Sequence, residues 1–155
     1  MNTGIAFIGI VCVAICAIPF LLTYSSRKRK QNLEKKEFDT FLMKHQAQLG
    51  YSESCGNYNI GIDQNKMKLY FQLHTKHLIE QEVVNLDEMS HAETKRYNSK
   101  KGTIDKLVMI LYPKDKNLPS TFLDFYDINL SYLPSGEIES IEKWQDVINK
   151  TIKHN

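Results

Sequence analysis

Two histidines spaced as H-x-x-H, His74 and His77, are the residues of this chain best placed to hold a metal ion, with His91 and Glu93 as further candidates. A zinc site needs three or four well-placed ligands with supporting partners behind them. His74 at the end of a strand and His77 in the following turn would converge only by chance. Exposed loop histidines are therefore the expectation, and no metal or cofactor is assigned. Cys55, in ESCG, could act as a nucleophile beside a histidine, but no further signature surrounds it, so a buried or idle thiol is expected. Asp124 and Asp127 flank two aromatics in DFYD, where solvation of a strand end accounts for them better than paired acid–base catalysis. No phosphate-binding loop, dinucleotide glycine pattern or nucleophile elbow occurs. The sequence assigns no catalytic residue and points away from an enzyme.

Charge is unevenly distributed. The formal net charge is +2, yet residues 27–49 carry seven Lys or Arg against three acidic residues, while residues 50–155 carry thirteen against fifteen. A slightly acidic domain lacks the basic face of a nucleic-acid binder, and that partner class is set aside. The basic cluster follows Ile5–Leu22, which is apolar almost throughout. About 20 such residues at a rise of roughly 1.5 Å cross a hydrocarbon core of about 30 Å as a helix. No basic region precedes this run and no small-residue cleavage site follows it, so residues 1–26 are expected to be an uncleaved transmembrane anchor. Arg27, Lys28, Arg29 and Lys30 favour the cytoplasmic side and would meet membrane lipids at the surface. The expectation is a single-pass membrane protein with its N-terminus outside and its C-terminal domain in the cytoplasm. Cys55 is the only cysteine beyond the apolar run, so no disulfide can form within that domain.

The elements that position these residues follow from hydrophobic period. Residues 27–50 suit a connecting helix, with Leu33, Phe38, Phe41, Leu42, His45 and Leu49 stepping by three or four and Gly50 as its stop. Beyond it, Tyr58–Asp63 and the alternating run from Met67 to His74 predict a hairpin turning at Gln64 and Asn65. Ser90–Tyr97 and Thr103–Tyr112 predict a second. Thr121–Asp127 is a further strand whose inward face is undecided, though Leu123 and Phe125 are its less polar pair. Glu137–Lys153 carries Ile138, Ile141, Trp144, Ile148 and Ile152 on one helical face, with acids early and lysines late to suit the helix dipole. Trp144 is expected at the core. Residues 51–155 thus predict about six short strands, an antiparallel barrel or strongly bent sheet closed by one helix, within an α+β chain.

In the hairpin IGIDQNKMKLYFQL, the strands IDKLVMILYP and STFLDFYD, and the closing helix IESIEKWQDVINKTI, residues 51–153 resemble a pleckstrin-homology-like domain, and the whole plan resembles small bacterial single-pass proteins. Such domains are mostly binding modules for phosphoinositides, peptides or partner proteins. The resemblance implies a lipid-binding cluster at the first hairpin, but only Lys66 and Lys68 stand there, the usual Arg is missing, and Asp63 is adjacent. A cytosolic or membrane protein is the expected partner. The alternative is a structural subunit of a larger membrane assembly that uses its apolar helix as a contact.

Overall fold

A break in hydrophobic period at Gly50 separates helical sequence from strand sequence, and the computed structural model turns there. It describes residues 29, 32–75, 77–100, 102–131, 134 and 136–154. The chain divides into two compact units, Met1–Glu37 and Phe38–Asn155. In the first unit residues 32–37 are helical and Arg29 is exposed. No helix among the described residues is long and apolar enough to cross a membrane. The anchor expected at residues 1–26 lies outside the described residues, as do Arg27, Lys28 and Lys30. The single-pass localisation and its orientation are corrected accordingly: no described element supplies the spanning helix they require.

In the second unit, residues 38–44 form helix α1. Phe38 and Phe41 bury against Tyr70, with Leu42, Ala47, Leu49 and Val83 packed around them. The helix stops well before Gly50. Gln46 takes a left-handed φ of 50°, and the Ala47 and Gln46 amides donate back to the Leu42 and Met43 carbonyls. This is the reciprocal closure of a Schellman turn, with glutamine in the position glycine usually fills.

Seven strands follow: β1 Tyr51–Cys55, β2 Tyr58–Asp63, β3 Lys68–His74, β4 Ile79–Asn85, β5 Met89–Asn98, β6 Ile104–Pro113 and β7 Thr121–Asp127. They form two antiparallel sheets, one ordered β1-β2-β3-β4 and the other β5-β6-β7, joined by a single 3-10 turn at Leu86–Glu88. The expected antiparallel barrel or single strongly bent sheet is thus corrected to two separate sheets, because β4 pairs only with β3 and β7 only with β6. Helix α2, Glu137–Lys153, completes the unit.

The core lies between the sheets. Ile60, Ile62 and Leu69 of the first meet Leu107, Met109 and Leu123 of the second, all at most 1% exposed. Phe71 packs against the Tyr58–Phe125 ring pair, with its centroid 5.6 and 5.5 Å from theirs. On β7, Leu123 and Phe125 face inward, and a register shift against β6 brings Tyr126 into the core as well. Ile141, Trp144 and Ile148 of α2 are fully buried there. The Trp144 indole N–H donates to Glu53 Oε2 of β1 at 2.7 Å, and Lys143 pairs with the same carboxylate at 2.5 Å.

Helix α2 also covers one sheet edge. The Ala92 amide donates to Asn149 Oδ1 at 2.8 Å, while Asn149 Nδ2 donates to the Ala92 carbonyl at 2.9 Å. The Thr94 amide donates to Gln145 Oε1 at 2.9 Å. Side-chain amides here stand in for a neighbouring strand, the partner every edge otherwise lacks. Asn149→Ala is expected to cost about 1–2 kcal/mol and to speed hydrogen exchange of the Ala92 amide ahead of its neighbours. Exchange at Ala92 left unchanged would show that the side chain does not cover this edge.

Candidate docking groove

In the β3–β4 ladder, Leu69 faces Val84, Phe71 faces Glu82 and Leu73 faces Glu80. Residues opposite each other share a face of the sheet. The inward face of β4 therefore changes from a buried valine to two exposed glutamates along its own length. A carboxylate keeps its charge on that face only where water reaches it. The two sheets accordingly part at this end, leaving a cavity of about 540 Å³.

Phe71 and Leu73 lie on one side of it and Leu123 on the other. Phe122 of β7, 59% exposed, and Tyr97 of β5, 43% exposed, stand at its rim. Lys106 and Asp124 also line it and pair with each other at 2.7 Å. Burial pulls the Lys106 pKa down, but the Asp124 hydrogen bond and charge, with Asp127 and Tyr97 behind them, raise it overall and hold the ammonium protonated. Glu80 and Glu82 have no ion-pair partner among the described residues. The groove is apolar within and negative along its β4 wall.

The backbone of β4 is available too. The Thr75 amide donates to the Leu78 carbonyl and the Leu86 amide to the Met67 carbonyl, at 3.0 and 2.7 Å. In an antiparallel ladder alternate residues bond the neighbour, so the even-numbered residues of β4 point their amides and carbonyls at β3. Those of Ile79, Gln81 and Val83 point away from it.

The residues singled out by chemistry do not gather here. His74 ends β3 with Nε2 2.7 Å from Gln72 Nε2, His77 is exposed in the turn before β4, and His91 stacks on Tyr112 at 4.7 Å in the other sheet. Among the described residues no three His, Cys, Asp or Glu side chains cluster closely enough to hold a metal ion. The Cys55 thiol is half-buried. Burial, aided by the Glu137 and Glu53 carboxylates, raises its pKa against the lowering effects of its contact with the Tyr58 hydroxyl and of the Lys143 charge, so it stays a protonated, poor nucleophile. Asp127 Oδ1 accepts from the Asn129 amide and side chain in a turn closing β7. Lys66 Nζ donates to the Gln46 and His45 carbonyls, at 2.5 and 3.3 Å, and so finishes α1 in place of clamping a phosphate. Sequence reasoning missed Glu80, Glu82, Tyr97 and Phe122 as a set. The signal available was IEQEVV, in which both acids fall in register with Val84 at period two.

Compared with known proteins, the chain matches no family model, no curated protein and no solved structure.

Proposed function

We propose that this chain is a binding module for a partner protein, that the partner sits in the groove between β4 and β7, and that the chain is not an enzyme. The observation carrying this reading is the pair of unpartnered carboxylates, Glu80 and Glu82, on an inward sheet face beside an open apolar floor. Sequence placed there for stability alone would bury valine or leucine, as at Val84. Exposed Phe122 and Tyr97 supply the aromatic contact area that protein interfaces favour. The likeness of residues 51–153 to pleckstrin-homology-like domains, most of which bind other molecules, supports the same class. The free charge of the groove is negative, so the partner presents basic and apolar side chains.

A photoreactive amino acid at Phe122 tests this in cells. It is expected to cross-link one discrete partner, and Glu82→Lys is expected to abolish the product while leaving the melting temperature unchanged. The same group at exposed Lys116, outside the groove, is expected to give none. Equal products from both positions, or a product insensitive to Glu82→Lys, would reject the groove as the binding site.

A further inference from the structure

The exposed edges of the two sheets are not equivalent. Asn149 and Gln145 cover the backbone of β5, while Tyr51, Ser52 and Ser54 of β1 stay exposed and a side-chain bond, Trp144 to Glu53, ties that strand to α2. β4 stands open, with Ile79, Glu80, Gln81 and Glu82 all exposed and the backbone groups of Ile79, Gln81 and Val83 directed outward. Taking the groove as the partner site proposed above, we infer that β4 binds its partner as an added strand, an extended segment with two basic residues spaced by two.

The spacing follows from the pleat. A strand laid on β4 puts alternate side chains on the groove face, opposite Glu80 and Glu82, and the intervening ones opposite Ile79, Gln81 and Val83. The segment reads basic-x-basic, with an apolar residue two further on beside Val84. Lys or Arg stems rest on Phe71 and Leu73 while their charged heads reach the carboxylates. Lys106 does not neutralise the wall, because Asp124 holds it. Main-chain hydrogen bonds provide affinity and the alternate side chains provide selectivity, the division of labour in strand addition. A second copy of this chain does not fit: two β4 strands paired antiparallel about Gln81 would set Glu80 against Glu82 twice, like charge on like.

The test uses the full chain and a short labelled threonine-based peptide carrying valine, lysine and lysine at alternate positions, followed by fluorescence anisotropy. Binding is expected to weaken with salt and to fall about tenfold in the Glu80→Gln, Glu82→Gln double variant. Peptides N-methylated on alternate residues are expected to split by parity. One set loses the donors that face β4 and no longer binds; the other binds as before. If both methylated peptides bind alike while the double variant still weakens binding, the groove stands and strand addition falls. A double variant that binds like the wild type removes the groove reading together with it. Absence of any peptide binding, or a peptide-free dimer dissolved by Gln81→Lys, overturns the strand proposal.

Discussion

Trp144→Ala is expected to leave residues 38–155 at the edge of unfolding. The indole is fully buried between the sheets, beside Ile141 and Ile148. Truncating a buried tryptophan costs about 3–5 kcal/mol, against a total of about 5–15 kcal/mol for a typical domain. The loss here includes a polar part, because Glu53 Oε2 gives up its 2.7 Å bond from the indole N–H. Trp144→Phe separates the two contributions. It keeps most of the ring volume but not the donor, and should recover more than half of the stability. Urea unfolding of the three proteins gives the comparison, and a wild-type midpoint for Trp144→Ala would place the helix the wrong way round.

Asp63→Ala is expected to destabilise the same unit by about 2–4 kcal/mol and to remove much of its acid sensitivity. Asp63 is fully buried. Its Oδ2 accepts from the Gln48 amide at 2.8 Å and its Oδ1 from the Lys66 amide at 3.1 Å. Burial alone would raise its pKa, but those amides, the Lys66 charge and the Asn65 amide act the other way and hold it below the ordinary value. A depressed carboxylate pKa contributes stability that is fully present above the unfolded-state value, roughly pH 4, and is lost as pH falls through the folded value. Wild-type melting temperature should therefore drop on acidification below about pH 4, whereas Asp63→Ala should start lower and fall less. Parallel pH profiles would show that other groups set the acid limit.

How much of this was legible beforehand depends on which force sets each element. Apolar burial writes a period, and where it governs, the sequence could be read: β2, β3, β6, β7 and α2 occupy the expected stretches. β1 and β4 are held by ladder hydrogen bonds at sheet edges, with little apolar side-chain burial, so YSESC and IEQEVV gave no strong strand signal. The stop of α1 was misplaced for a related reason. Glycine signals a left-handed turn from sequence, while Gln46 adopts one without that signal, its carbonyl accepting from Lys66 of the β2–β3 turn. The groove was hidden because its defining residues belong to separate strands, and only register shows that two charged residues occupy core-facing positions. The largest correction is the division of the expected barrel or bent sheet into two sheets. Period reveals which face of a strand is buried and says nothing about which edges meet.

The bonds from α2 to the first sheet bear on the order in which the chain is made. Tyr58 donates to Ser140 at 2.6 Å across 82 positions, and Trp144 reaches Glu53 across 91. A ribosome delivers β1 to β4 long before the helix that seals them, so their inward face must wait, wetted and adhesive, for the last segment of the unit to emerge. Contacts this distant close late and slow the search for the native state.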